Sequence, residues 1–273
     1  MNKLMTIGMT AVMAAGIAGA QNDVVMVGQA PSNDKSITEV TGEIALVSAY
    51  VWRGQVLNND IVMQPQITAS SYGVSVNIWG NYDLGENNSG NKNDFSEMDV
   101  SLAYDIPLDL NDMVFSVGLI NYNFPNTPDA STSDGVANST TELFGKATVL
   151  TLKDYVIPSV TLFGDIRQAD GIYLLFDIVA PYEISDYLYA EAGASAGWGD
   201  TSYNDYYWGG DQEKGFNDFN LYANLSYEIF ENLTASANLT YTFLDGGAIR
   251  NAAKVLYEND NKFWGGVNLA YDF

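Results

Sequence analysis

Acidic side chains are the residues of this chain most able to do chemistry, because they far outnumber the basic ones. The sequence of 273 residues has 34 Asp and Glu against 11 Lys and Arg, which gives a formal net charge of -23. Such a surplus attracts cations and repels polyanions. Nucleic acid is therefore excluded as a partner.

Catalysis is not expected of these carboxylates, because the residues that usually accompany them in envelope hydrolases are missing. The sequence has no histidine and no cysteine. A histidine base, a thiolate nucleophile, a disulfide framework and a histidine metal site are therefore excluded. Glu97 and Asp99 form an acidic pair on one face of a strand, but nothing marks either as a catalytic acid. We expect no enzyme activity, no cofactor and no metal.

The acidic residues alternate with apolar ones, and this spacing predicts the elements that position them. Strict alternation of polar and apolar residues indicates a β-strand with two different faces. From Gly42 onward the chain repeats a segment of about ten residues followed by a turn or loop. Ten residues is the length of a membrane-spanning strand. The predicted strands, about twelve in number as an even-numbered barrel requires, are 43–52, 62–71, 74–83, 97–106, 113–124, 141–152, 156–167, 172–184, 188–198, 219–229, 233–243 and 262–273.

One predicted strand, 113–124, does not keep a single phase. Val117 and Leu119 share one phase, whereas Ile120 and Tyr122 take the other. Because an extra residue in one strand shifts its phase, we expect a β-bulge near Leu119.

The connections between the predicted strands alternate in length. The short turns are 70–73, 107–111, 153–155, 185–187 and 230–232, and the long polar loops are 84–95, 125–139, 199–216 and 244–261. Short turns at one rim and long loops at the other are typical of outer-membrane barrels, and a β-sandwich gives no reason for them. We therefore predict an all-β fold, a transmembrane antiparallel up-and-down β-barrel of about twelve strands with short periplasmic turns and long extracellular loops.

Both ends of the chain have features of an exported membrane protein. Residues 1–20 have a basic start, a short apolar middle and a small-residue cleavage site, which predicts a signal peptide. Residues 21–41 are predicted to be a flexible periplasmic segment and 42–273 to be the barrel. The last strand ends with Tyr271 and Phe273 in its apolar phase, and it resembles the C-terminal strand that barrel-insertion machinery reads as a signal. We expect outer-membrane lipid and that machinery as partners.

The polar phase of the strands would line an acidic lumen. Its carboxylates are Glu43, Asp83, Glu97, Asp99, Asp105, Glu142, Asp165, Asp177, Glu183, Glu191 and Glu228, and its bases are Arg53, Lys146 and Arg167. A low-dielectric wall with this excess of negative charge concentrates cations. We therefore predict a porin-like channel for ions and small solutes that prefers cations. Because barrels of about twelve strands lie between the filled small ones and the open large ones, a sealed barrel acting through its outer loops is the alternative.

Arg53 is the base near the upper end of the first predicted strand. It could form a constriction or contact a solute. The favoured interpretation is that it neutralises carboxylates such as Glu97 or Asp99 through a bidentate pair, which would stiffen the wall.

One long loop mixes aromatic and acidic residues. Tyr206, Tyr207, Trp208 and Asp211 could stack on a sugar-like solute and accept its hydroxyl hydrogen bonds. The favoured alternative is that the aromatic side chains fold the loop over the barrel mouth.

A family resemblance appears in the same stretch as Arg53. The sequence SAYVWRGQ at 48–55, followed by VNIWGNY at 76–82, resembles the YVFRG motif and the later tryptophan motif of the TorF-type family of porin-like proteins, also catalogued as the Gcw family of conserved hypothetical proteins. Trp52 stands where that family usually has Phe, and Asn81 where Ser is usual. The resemblance implies an outer-membrane porin-like barrel, and assembly into a homo-oligomer is compatible with it.

Overall fold

Antiparallel strands close into a barrel whose strand order follows the chain. The structure is a computed structural model that describes residues 38–85, 92–110, 112–126, 138–210 and 212–273. The predicted signal peptide and most of the segment 21–41 lie outside the described residues. The elements within them are β1 (Glu39–Val47), β2 (Tyr50–Trp52), β3 (Gln55–Asn58), β4 (Val62–Ser71), β5 (Val74–Asp83), β6 (Asp94–Leu110), β7 (Met113–Asn123), β8 (Ser139–Val149), β9 (Ile157–Asp165), β10 (Ile172–Ser185), β11 (Leu188–Gly199), α1 (Thr201–Trp208), β12 (Gly215–Phe230), β13 (Leu233–Leu244), α2 (Gly247–Leu256) and β14 (Asn261–Asp272).

The wall of the barrel is formed by β1 and β4 to β14. Each strand pairs with its neighbour, and β1 pairs with both β4 and β14, which closes the sheet. This closed barrel of twelve strands confirms the predicted fold class. Closure leaves no free sheet edge, so every wall strand has a hydrogen-bonded neighbour on both sides. β1 begins at Glu39 and therefore includes the last residues of the segment predicted to be flexible.

The two faces of the wall have the polarity of a membrane barrel. Leu225, Leu239 and Leu269 point outward and are 46%, 55% and 48% exposed. On the inner face, Asn77 and Gln64 are each only 1% exposed. A water-soluble fold would bury the leucines. The predicted assignment of the apolar phase to the outside and the polar phase to the inside is therefore confirmed for these strands.

The first predicted strand is wrong at its upper end. β1 ends at Val47, and β2 and β3 form a separate hairpin that folds into the barrel. Arg53 (φ 46°) and Gly54 (φ 83°) make its turn in the left-handed region. Tyr50 and Trp52 continue the apolar phase of the predicted strand 43–52, which would place them on the outer face, but they are buried at 6% and 7% exposure. We call β2, β3 and their turn the inner hairpin.

The change of phase in β7 has a different cause from the expected β-bulge. The pairing of β7 with β8 runs without a register shift from Met113 to Asn123. Ile120 and Tyr122 therefore lie on the inner face, where they are 3% and 4% exposed. They are apolar because they face the inner hairpin rather than water.

Turns and loops are distributed as predicted between the two rims. The turn between β4 and β5 contains Tyr72 (φ 53°) and Gly73 (φ 79°), the pair of positive φ angles that a tight hairpin turn requires. Both helices lie at the opposite rim, which we call the upper end. None of the helices in the described part of the chain has the length and apolar character needed to cross a membrane.

Candidate functional site in the barrel lumen

Arg53 lies at the tip of the inner hairpin, where its charged side chain is enclosed in the upper lumen. Its Nη1 donates to Glu142 Oε1 at 2.9 Å, and its Nη2 donates to Glu142 Oε2 at 2.7 Å. Both side chains are at most 1% exposed. The expected bidentate pair is thus present, and the carboxylate that forms it is Glu142 on β8. Such a pair orients both planar groups, and removing one partner of a buried pair is costly.

Aromatic rings surround the same guanidinium group. Its carbon lies 4.5 Å from the ring centroid of Trp52, 4.4 Å from Phe163 and 4.3 Å from Tyr173. Cations are attracted to the faces of aromatic rings, most strongly where water is excluded. This cage explains why a charged hairpin tip is stable inside the barrel.

Further hydrogen bonds tie the inner hairpin to the wall. Tyr50 Oη donates to Glu97 Oε2 at 2.9 Å, and Asn58 Nδ2 donates to Asp83 Oδ1 at 2.7 Å. The acidic residues of the upper wall therefore hold the hairpin in place as well as charging the lumen.

Helix α1 closes over the hairpin from above. Asp200 begins the helix by accepting a hydrogen bond from the Tyr203 amide at 2.8 Å, as an N-cap does. The Tyr203 ring lies 4.6 Å from Tyr207, and the Tyr207 ring lies 5.1 Å from Trp52. Burial raises the pKa of Tyr203 well above its ordinary value, so its hydroxyl stays neutral beside Arg53.

The residues predicted to contact a solute in this loop have different surroundings. Trp208 is 2% exposed and packs edge-on against Tyr257. Tyr207 is partly buried over the hairpin, and Tyr206 is 45% exposed. Asp211 lies outside the described residues. Tyr206 can therefore stack on a solute, whereas Trp208 cannot, because its ring is buried against Tyr257. These aromatic contacts hold the helix over the barrel mouth.

Polar and charged groups line the lower lumen. Lys146 on β8 interacts electrostatically with Asp177 and Asp105. The Tyr222 hydroxyl donates to Asp177 at 2.7 Å, and Asn224 donates to Glu191 at 2.5 Å. These carboxylates therefore accept hydrogen bonds across the inner face, Glu191 from the neighbouring strand and Asp177 from β12, two strands away.

On the inner face, three neighbouring strands carry buried side-chain amide atoms that have no hydrogen-bond partner in the protein. Among the described residues, these atoms include Asn224 Oδ1 on β12, Asn238 Nδ2 on β13 and Asn268 Oδ1 on β14. A buried polar atom without a partner is costly, and water or a hydrated solute commonly supplies the missing bond.

One of the predicted lumen residues, Arg167, lies outside the wall of the barrel. Arg167 is exposed, because β9 ends at Asp165 and the chain turns back there, with the Arg167 amide donating to Asp165 Oδ1 at 2.8 Å. Glu183 is exposed at the lower end of β10. Glu228 lies on the inner phase at the lower end of β12, where it pairs with Thr234. Arg167 follows the alternation of its segment, but that alternation continues beyond the end of β9. Glu183 keeps the inner phase of β10, opposite Tyr189 on β11.

Asp218 is a lumen residue that the sequence analysis missed. It is fully buried, and its Oδ1 accepts from the Tyr173 hydroxyl at 2.9 Å. β12 begins at Gly215, so Asp218 continues the alternation of the predicted strand 219–229. Extending the predicted strand 219–229 by one residue towards its start would have placed Asp218 on the inner face. No group of three or more possible metal ligands occurs within the described ranges.

A family model matches residues 31–217, and its description is "Bacterial protein of unknown function (Gcw_chp)". A comparison with curated proteins finds no match. Solved structures share the fold at low sequence identity. The KdgM porin in complex with disordered oligogalacturonate is 9% identical with a TM-score of 0.51, covering 87% of this chain and 99% of that one.

Two further structures give the same result. The NanC porin is 13% identical with a TM-score of 0.52 over 85% of this chain and 98% of that one. An outer membrane channel from Pseudomonas putida F1 is 9% identical with a TM-score of 0.51 over 90% and 100%. The fold is therefore that of a porin-like barrel.

Proposed function

The chain belongs to the bacterial Gcw_chp family of proteins of unknown function, and we propose that it is an outer-membrane channel through which small cations and small polar solutes diffuse. Its location follows from the apolar outer face of the barrel and from the predicted signal peptide at 1–20. The aromatic end of β14 supports the same proposal. Tyr271 and Phe273 point outward with rings 4.9 Å apart, as an insertion signal would.

The acidic inner face is the observation that supports the preference for cations. On the lower wall, Asp105 and Asp177 interact electrostatically with Lys146, and Glu191 lies close enough to Asp177 to interact with it. Arg53 adds no net charge in the upper lumen because Glu142 neutralises it. An excess of fixed negative charge in a narrow, low-dielectric passage attracts cations and repels anions. A polyanion such as an oligogalacturonate would meet this repulsion over the whole length of the wall.

The inner hairpin restricts what can pass. It occupies the upper lumen, and Arg53, Val51 and Gln55 on it are each at most 2% exposed. Solutes must therefore pass beside the hairpin or wait until it moves. We propose that the hairpin sets a low size limit, so that ions and small solutes pass and larger ones do not.

A sealed barrel is the second candidate, and the same filled upper lumen favours it. Such a barrel would act through its outer loops and helices, on another envelope component or on a host surface. The two candidates differ in one measurable property, which is the flow of ions.

Conductance in a planar lipid bilayer tests the proposal. The refolded full chain should give steady channels, and a salt gradient should produce a reversal potential of the sign set by cations. Asp177→Asn combined with Glu191→Gln should reduce that potential, because both side chains lie in the lower lumen and neither holds the hairpin. Neutralising the exposed loop acids Glu213 and Asp245 is the matched control and should change it little. Folded, inserted protein without conductance would favour the sealed barrel.

A further inference from the structure

Two basic side chains of α2 lie at the upper rim, and one of them, Arg250, lines a cavity together with Tyr241 of the outer face. Arg250 and Lys254 are four positions apart and so share one face of the helix. Their side chains are 48% and 55% exposed. In a chain with 34 acidic residues and 11 basic ones, two cations on one exposed helix face are a local exception.

One carboxylate holds both cations in place. Asp260 Oδ2 accepts from Arg250 Nη2 at 2.6 Å and lies 3.1 Å from Lys254 Nζ. Hydrogen bonds from Arg250 and Lys254 lower the pKa of Asp260, so it is ionised at neutral pH. Two positive charges and one negative charge leave one positive charge over. The arrangement is therefore pre-oriented for a second anion.

A cavity of about 270 Å³ lies next to these charges. Arg250, Asp260 and Asn261 line its polar side, and Tyr241, Phe243 and Leu244 line its apolar side. Tyr241 is 40% exposed on the outer face of β13. The cavity therefore joins the charged rim to the surface that faces lipid.

Aromatic rings continue from this cavity across the outer wall. The rings of Tyr241 and Phe243 are 5.8 Å apart, those of Phe243 and Phe219 are 5.3 Å apart, and those of Phe219 and Phe216 are 5.7 Å apart. Phe263 on β14 lies opposite Tyr241 and is 65% exposed. Such a surface is complementary to acyl chains at the membrane interface.

We propose that this cavity is a binding site for a membrane lipid of the extracellular leaflet with a phosphorylated headgroup. The phosphate is bound by the exposed N–H groups of Arg250 and the ammonium of Lys254, and the acyl chains lie along Phe219, Tyr241 and Phe243. Arginine and lysine are the usual ligands of phosphate, and both contribute charge-assisted hydrogen bonds. The inference rests on the proposed membrane location of the barrel but not on its conducting ions.

Lipid titration of the refolded full chain in detergent tests the site, with native mass spectrometry as the readout. The probes are a phosphatidic acid, the diacylglycerol with the same acyl chains, and inorganic phosphate. We expect the phosphatidic acid to bind. Arg250→Gln combined with Lys254→Gln should weaken it by about tenfold or more, as the loss of charge-assisted hydrogen bonds predicts. The matched control is Lys153→Gln combined with Lys214→Gln, which removes the same charge from exposed positions elsewhere and should leave binding unchanged.

Each other outcome overturns the inference. Equal binding of the diacylglycerol would mean that the phosphate is not recognised. Inorganic phosphate that binds as tightly as the phosphatidic acid would mean that the acyl chains are not recognised. Equal weakening in the control would mean that net charge rather than the cavity attracts the lipid. Flotation of the wild-type protein with vesicles of an uncharged lipid tests the membrane location separately. Protein that floats but binds no phosphatidic acid would leave the location intact and refute the lipid site alone.

Discussion

Replacing Glu142 with Gln tests whether the buried ion pair holds the inner hairpin in the barrel. The substitution keeps the size of the side chain but removes the charge that faces Arg53 at 2.7 and 2.9 Å. Removing one partner of a buried pair costs about 3–5 kcal/mol. The ratio of docked to undocked hairpin should therefore fall by a factor of about 10² or more, since each 1.4 kcal/mol is tenfold.

Thiol labelling measures that ratio directly, because the natural chain has no cysteine. Val56 on the hairpin is 4% exposed, so a Val56→Cys variant reacts with a maleimide only when the hairpin leaves its site. We expect the labelling rate to rise by about the same factor of 10² when Glu142→Gln is added, because the rate follows the open population. Glu228→Gln makes the same chemical change at the lower end of β12 and should leave the rate unaltered.

Replacing both members of the pair supplies a second check. Arg53→Met with Glu142→Leu removes both charges and leaves apolar groups among the aromatic rings. Since paired buried charges can often be exchanged for apolar residues at little cost, the labelling rate should return towards that of the parent. An unchanged labelling rate in folded Glu142→Gln protein would refute the idea that this pair docks the hairpin.

Three further predictions concern the hairpin turn, the upper rim and the last strand. Gly54→Ala should raise labelling of the Val56→Cys hairpin, because Gly54 has a φ of 83° and a Cβ there would lie 2.4 Å from Leu244 Cδ2. Hydrogen bonds from Arg250 and Lys254 lower the pKa of Asp260, so the stability that they contribute is lost as pH falls through the folded pKa. Protection of the α2 amides in hydrogen exchange should therefore be constant from neutral pH down to the ordinary pKa of an Asp and should decrease at lower pH. Asp260→Asn should abolish this pH dependence. Phe273→Ala should reduce the yield of assembled barrel in cell envelopes without changing the heat stability of protein refolded in detergent, and an equal loss in both would mean a structural role only.

The wall of the barrel could be predicted from the sequence because each strand carries its own evidence. Alternation in segments such as β4, β5, β12 and β13 is a local property that needs no knowledge of the neighbours. For the same reason the inward position of Glu142, Asp177 and Glu191 follows from phase alone. The prediction failed for Arg167, because the alternation of its segment continues after β9 has ended at Asp165.

The filled upper lumen could not be predicted in this way. Tyr50 and Trp52 have the same spacing whether their rings face lipid outside or packed aromatic residues inside, and local periodicity cannot distinguish two apolar environments. The pair of Arg53 with Glu142 joins residues 89 positions apart. Closure of the whole sheet brings them together, so no short window of sequence contains that information. The phase change at Ile120 was visible, but its cause was the hairpin on the other side of the lumen.

Because β1 pairs directly with β4, the segment between them is an insertion that adds no strand to the barrel wall. Val47 and Val62 are partners in that pairing, so a two-residue turn between them would complete an uninterrupted sheet. Length and composition of residues 48–61 can therefore be redesigned in the laboratory without disturbing strand order. A shortened version would provide a scaffold with the same outer surface and a wider bore, onto which other inserts could be grafted.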